Sequence, residues 1–320
     1  MKLTRNGVLA AIVALWAMVA LAAPYLGLRD PNAQPDGLVL RDLAPGSVVQ
    51  AARMADGSTR YFHERRDTDG GVELRRGPRW ERFEASELAA EPWFSERYLL
   101  GTDGYGRDLL SRLIHGSRVS LAIGFLAAGI ALLLGTSVGL AAGLGGGWVD
   151  SLLMRGTDLV LSIPRLFLAA LLVALYGRSL TATIWILGCT SWMVAARLVR
   201  AEILSLRESG FVQAARAAGA SRLRIALRHL LPAVTAPLAI EGMLRVVDTI
   251  LIEASLSFLG LSVPPPHPTW GNMIAEGRDR LLDAWWIATL PGIAVAATVL
   301  LLYFVGEAAR EPQRSASEPC

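Results

Sequence analysis

Lysine is almost missing from this chain: among 31 basic side chains, Lys2 is the only one. A phosphate-cradling P-loop needs a Gly-Lys-Ser/Thr step, so this polypeptide cannot hold a nucleotide through that motif. Cysteine is as scarce. Cys189 falls in an apolar run and Cys320 is the last residue, which leaves no disulfide framework. The four histidines, His63, His115, His229 and His267, are scattered without metal-ligand spacing, and neither His-Glu-x-x-His nor Gly-x-Ser-x-Gly occurs. An enzyme reading therefore has no constellation to stand on, and no metal or other cofactor is expected in the chain.

What is abundant is apolar surface. Hydrophobic residues make up 53% of the sequence, in several uncharged runs of about 20 residues, each long enough to cross a hydrocarbon core. Six spans are expected: Val8 to Leu28, Val119 to Leu144, Leu159 to Tyr176, Leu180 to Ala196, Leu231 to Leu261 and Trp285 to Val305. The fifth is long enough to require tilt or a kink near Pro237. One side collects Lys2, Arg5, Arg155, Arg197, Arg200, Arg207, Arg216, Arg222, Arg224, Arg228, Arg310 and Arg314, against Arg178, Arg278 and Arg280 on the other. The positive-inside rule then places both termini in the cytoplasm. The first span, with Lys2 and Arg5 before its apolar stretch and the small residues Ala20, Leu21, Ala22 within it, also suits a cleavable signal peptide; a retained helix is the expectation.

Residues 29–98 interrupt this pattern as a soluble, β-rich insert after the first span (1–28), delivered outside. Val48 to Met54 and Thr59 to Glu64 flank Ala55-Asp56-Gly57-Ser58, a hairpin signal, and Val72 to Arg76 is a further strand. About 70 residues favour leaning on the membrane part over owning a core. A docking surface for a binding protein and a passive spacer are both open readings. Residues 99–118 follow as an interfacial segment, in which Thr102 or Asp103 can cap a helix and Asp108 with Arg112 forms an i,i+4 pair. Leu109, Leu110, Leu113 and Ile114 supply its apolar face. The remaining five spans form a helical core, 119–320, with a cytoplasmic loop at 197–231.

That loop contains the run Gln213 to Pro232, QAARAAGASRLRIALRHLLP. Ala214, Ala215, Ala217 and Ala218 favour a slim helix that can approach a partner closely. Gly219 supplies the positive φ that ends it. Leu223, Ile225, Ala226 and Leu230 can line one face of a second helix, with Arg222, Arg224 and Arg228 around the rest. Pro232 suits the first turn of the next span. A basic, solvated linker is the plain alternative.

The residues Gln213, Ala214, Ala215, Arg216, Gly219, Leu231 and Pro232 resemble the Glu-Ala-Ala coupling signature of ATP-binding cassette importer permeases. Gln213 replaces the acid and His229 an aliphatic residue, as is common in the dipeptide and oligopeptide branch. Leu100-Gly101-Thr102-Asp103, Gly106-Arg107-Asp108, Ser111-Arg112 and Gly116-x-Arg118-x-Ser120 are similar to that branch's outer-loop pattern. Gly146 to Asp150 through Arg155, Asp158 and Ile163-Pro164, then Glu253 to Leu261 and Pro268 to Met273, extend the likeness over nearly all of the chain outside the insert. The tail, Gly306-Glu307 to Glu311, departs from the branch's usual ending.

The resemblance implies the second-type permease of a dipeptide, oligopeptide or nickel importer, with an all-α, six-helix fold of the type I importer class and a small periplasmic β-rich insert. It also implies a homologous partner permease, two ATPase subunits that bind ATP and Mg, and an extracytoplasmic substrate-binding protein. Membrane lipid is the remaining partner, and nucleic acid is not expected. Gly145 to Arg155 is expected to make a second contact with the ATPase. Within the fifth span Glu241, Arg245 and Asp248 fall on one helical stripe, where they either line a translocation path or pair internally. An ATP-independent transporter or channel is the alternative from another class, and a membrane-anchored sensor is a third. The first needs inverted repeats and broken half-helices, the second a cytoplasmic signalling domain, and neither is evident.

Overall fold

The computed structural model describes residues 16, 18–261 and 263–316. The first expected span begins outside these residues, as does Cys320. Two compact units are present: an outer-loop unit of residues 17–119 and 265–294, and a helical unit built mainly from 120–264 and 295 onward.

The outer-loop unit contains six strands in two antiparallel sheets. In one, β1 (Ser47–Met54) lies between β2 (Thr59–Phe62) and β6 (Leu88–Tyr98); in the other, β4 (Gly71–Arg76) lies between β3 (Glu64–Thr68) and β5 (Arg79–Glu84). The hairpin turn between β1 and β2 is where the Asp56-Gly57 signal predicts it, with Gly57 at φ +84°. Contrary to expectation, the insert has apolar clusters of its own. Val39, Leu40, Val49, Ala51, Tyr61 and Tyr98 pack together on one side of the first sheet, and Ala52, Phe62, Val72 and Leu74 between the two sheets. The alternation of buried and open residues along β1 and β4 gives each sheet a face to bury, and pairing two sheets lets a short chain form a core.

The helices are α1 (Leu109–Gly145), α2 (Gly147–Leu161), α3 (Arg165–Tyr176), α4 (Leu180–Cys189), α5 (Met193–Leu206), α6 (Gly210–Ala217), α7 (Arg222–Ile225), α8 (Leu231–Phe258), α9 (Trp270–Gly277) and α10 (Trp286–Ala316). Among the described residues four runs are long and apolar enough to cross a membrane: Leu109–Gly145, Leu180–Leu206, Arg222–Phe258 and Trp286–Ala308. A fifth arises only if α2 and α3, bent by 83° at Ser162-Ile163-Pro164, count as one span. The expected third span, Leu159 to Tyr176, thus contains a sharp break. Pro164 disfavours helix for Ile163 before it and stands as N-cap of α3. The expected interfacial helix is not separate either, because α1 runs unbroken from Leu109.

The break between α4 and α5 is internally satisfied. Thr190 Oγ1 donates to the Ile186 carbonyl at 2.8 Å and Ser191 Oγ to that of Leu187 at 2.7 Å, as a break at membrane depth requires. α1 and α5 approach closely along Gly135, Gly139 and Gly143. A Cβ at Gly139 would stand 2.6 Å from the Ala196 carbonyl, one at Gly135 2.6 Å from Ala195 Cβ, and one at Gly143 2.7 Å from Ile203 Cγ2. Small residues at i, i+4 and i+8 let two backbones touch, which is how helices associate without a hydrophobic difference between partner and lipid.

Candidate functional site: the 213–232 loop and two ion networks

The loop is built as two helices around one turn. α6 ends in a paired hydrogen-bond pattern: Ala220 N donates to Ala215 O at 3.0 Å and Gly219 N to Arg216 O at 2.9 Å. This is a Schellman ending, and it requires a left-handed residue at Gly219, whose φ is +81°. No atom lies within 4 Å of where its Cβ would be, so conformation alone demands glycine there. Ser221 then caps α7, its side chain accepting from Arg224 N at 3.3 Å.

α7 leads into a π-helical turn, Ala226–Leu230, and then α8. Pro232 has no N–H for the Arg228 carbonyl and its ring crowds that turn, which accounts for the widening. One face of the loop is fixed: Val212, Ile225, Leu230 and Val234 are buried with Val199 and Ile203 of α5. The other face is bare. Phe211, Leu223 and Leu227 are 47%, 68% and 54% exposed, with Gln213, Ala214 and Arg216 open beside them. Leu223 is therefore not on the buried face that its sequence position predicts. Gln213 donates from Nε2 to the Glu208 carbonyl at 3.0 Å, so in place of an acid it braces the loop on itself.

Next to this loop, α2 is held against α5 by its acids. Asp150 accepts from Arg200 Nε and Nη2 at 2.5 and 2.6 Å, and Asp158 accepts from Arg197. The segment expected to make a second contact is thus mostly helix, with Trp148 76% exposed.

The outer-loop motif folds as a buried ion network. Asp103 Oδ2 pairs with Arg107 Nε at 2.6 Å and with Arg112 Nε at 3.4 Å, and Glu276 of α9 pairs with Arg107 at 2.6 Å and Arg112 at 3.1 Å. Glu276, far along the chain, gives the sequence no local sign of this role. The expected Asp108–Arg112 pair is replaced: Arg112 turns to Asp103 and Glu276, while Asp108 lies 3.8 Å from Arg29. Burial raises the Asp108 carboxyl above the usual range, against the opposing pull of Arg29. The helix start also differs. Asp108 accepts from Leu110 N at 3.3 Å, whereas Thr102 Oγ1 donates to the Leu40 carbonyl and accepts from Leu43 N. Asp103 accepts from the backbone of Tyr105 and Arg107, and Gly101 and Gly106 take φ of +78° and +77° to close this turn.

The stripe in the fifth span closes on itself. Arg245 Nε is 2.8 Å from Glu241 Oε1 and its Nη1 3.2 Å from Asp248 Oδ2. A fourth member, Arg165, donates to Asp248 and, at 3.3 Å, to the Leu187 carbonyl. Sequence reasoning missed Arg165; its place directly after the Ile163-Pro164 break, opening an apolar run, is the signal that could have found it. The four charges sum to zero. Among the described residues, no group of three or more His, Cys, Asp or Glu is placed to hold a metal.

The family described as binding-protein-dependent transport system inner membrane component matches residues 135–311. A putative peptide transport system permease protein of Brucella suis biovar 1 is 43% identical over 217 residues, covering 67% of this chain and 72% of the relative. The di/tripeptide transport system permease protein DppC of Pseudomonas aeruginosa is 40% identical over 234 residues, 72% of this chain and 77% of the relative. Among solved structures, a chain of the MetNI methionine ABC transporter in an inward-facing conformation aligns over 66% of this chain and 98% of its own, with a TM-score of 0.54 at 18% identity. At that identity the likeness concerns the fold alone.

Proposed function

The chain belongs to the family of binding-protein-dependent transport system inner membrane components and is a membrane permease subunit; from that premise we propose that it serves an ATP-binding cassette importer of peptides. The peptide cargo follows the names of the relatives from Brucella suis and Pseudomonas aeruginosa. In this reading the chain pairs with a homologous permease, two ATPase subunits hydrolyse ATP with Mg on the cytoplasmic side, and an external binding protein delivers the cargo. Both termini and the loop 197–231 face the cytoplasm, and the insert lies outside.

The observation that carries this reading is the two-faced loop. Ile225 and Leu230 root it among buried side chains while Phe211, Leu223 and Leu227 stand open. Burying a large apolar side chain in a partner is worth about 1.5–3 kcal/mol, so three of them suffice to anchor a contact. Because the turn at Gly219 is hydrogen-bonded on both sides, a push on α6 passes into α8 without being absorbed in the loop. ATP-driven closure of the ATPase pair thereby tilts α8 and alternates the opening of the permease pair.

The ion chain Arg165, Asp248, Arg245 and Glu241 acts here as an internal brace between α3 and α8, since its charges balance one another. The test of the whole reading is co-purification of the N-terminally tagged chain from its native membrane. Recovery with a second permease and ATPase subunits supports it. Recovery alone or as a homo-oligomer, in mild detergent and with the loop intact, overturns it in favour of ATP-independent transport.

A further inference from the structure

A cavity of about 550 Å³ lies in the helical unit beside the exposed loop, lined by Arg207, Arg216 and Arg222, by Glu208, and by Gly143 to Gly146 at the junction of α1 and α2. Three arginines and one glutamate are in its lining. That carboxylate, Glu208, stands 3.5 Å from its sequence neighbour Arg207 with its side chain 74% exposed, so it neutralises little of the cavity. Two helix ends meet there, the last residues of α1, Gly143 to Gly145, and the N-cap of α2, Gly146, whose nearby acid Asp150 is already held by Arg200. The partial charges of the two ends are opposite in sign and offset each other, so the basic character of the cavity rests on the arginines. Planar guanidinium groups suit phosphate oxygens, and basic pockets among membrane helices on the cytoplasmic side fit lipid head groups. The flank is apolar at Trp148, two residues from Gly146 and 76% exposed.

We propose that this cavity binds the phosphate of an anionic phospholipid of the inner leaflet, with Arg207 and Arg222 as its principal ligands and Trp148 at the interface above the acyl chains. The proposal rests on the cytoplasmic placement of the loop. A bound head group would tie the base of the loop to the membrane surface while leaving Phe211, Leu223 and Leu227 open.

The test is native mass spectrometry of the full chain, titrated in detergent with phosphatidylglycerol, with phosphatidylcholine, and with inorganic phosphate. Phosphatidylglycerol should bind about tenfold more tightly than phosphatidylcholine, and the Arg207→Gln/Arg222→Gln double variant should lose that preference. Equal binding of the two lipids, or a preference that survives in a double variant with an unchanged melting temperature, overturns the proposal. Displacement of the lipid by millimolar inorganic phosphate overturns the lipid assignment in favour of a soluble anion. Displacement by added ATPase subunits overturns it in favour of a protein carboxylate. A chain that shows the lipid preference but recovers no ATPase sinks the importer reading and leaves the site standing.

Discussion

The outer-loop unit and the helical unit solve the same problem, holding distant segments together, with opposite chemistry. In the outer-loop unit Asp103, Arg107 and Arg112 are buried and fastened to Glu276 by ion pairs. In the helical unit the α1–α5 contact is made by what is missing, the side chains at Gly135, Gly139 and Gly143. The contrast follows from the surroundings. Inside a bilayer a leucine gains nothing by leaving lipid for a neighbouring helix, so close van der Waals contact decides. Outside it, charge can be buried provided that every member keeps several partners.

Removing one partner from the charged side should give the largest effect. Arg112→Ala leaves Asp103 and Glu276 to share Arg107 alone, and removing one member of a buried ion network costs up to about 3–5 kcal/mol. Faster hydrogen exchange at residues 101–112 and in α9, with α5 unaffected, is the expected result. Uniform destabilisation of both units would show that they are not distinct.

On the apolar side, Gly139→Val drives a side chain against the Ala196 carbonyl, a backbone atom that cannot swing away. Overpacking of this kind costs about 1–3 kcal/mol, read as a lower melting temperature in detergent. Gly219→Val sharpens the comparison, because that position has open space and only a left-handed φ to lose. Its melting shift should be smaller, with ATPase co-purification reduced instead. Equal melting shifts for the two variants would mean that Gly219 is a packing residue after all.

Much of this was legible in the sequence because it is local. Gly219 at the end of an alanine-rich helix, the Asp56-Gly57 hairpin and the apolar runs each carry their cause within a few residues. The Glu241, Arg245 and Asp248 stripe was readable from helical spacing, and the structure brings all three together. What escaped depends on partners far along the chain. Arg112 has an acid four residues before it, Asp108, yet tertiary packing offers it Asp103 and Glu276 in a drier place. Arg165 finds Asp248 across 83 residues. The glycine seam went unread, because the helix it faces lies far along the chain. The insert's core was underestimated because the burial of Leu74 and Phe62 needs two sheets at once.

The smallest effect at neutral pH belongs to the insert. Tyr61 is almost fully buried and donates to Glu96 at 3.2 Å; burial first, then the Glu96 charge, pushes its phenol from 10.0 up to about 12. Tyr98, buried beside it and bonded to the same carboxylate, is raised as well. Both phenols thus hold their protons more tightly folded than unfolded. Their contribution is complete below pH 10 and is lost as pH rises toward 12, by up to about 1.4 kcal/mol per pH unit for each tyrosine. In an ultraviolet titration of the intact chain, which has six tyrosines, these two should remain un-ionised at pH 11. Tyr61→Phe should cost about 1 kcal/mol at pH 7, the size of one hydrogen bond, and leave one resistant phenol. If all six ionise together near pH 10 while the sheets are intact, the insert's core is wetter than its packing indicates, and the contrast between the units narrows to the ion network alone.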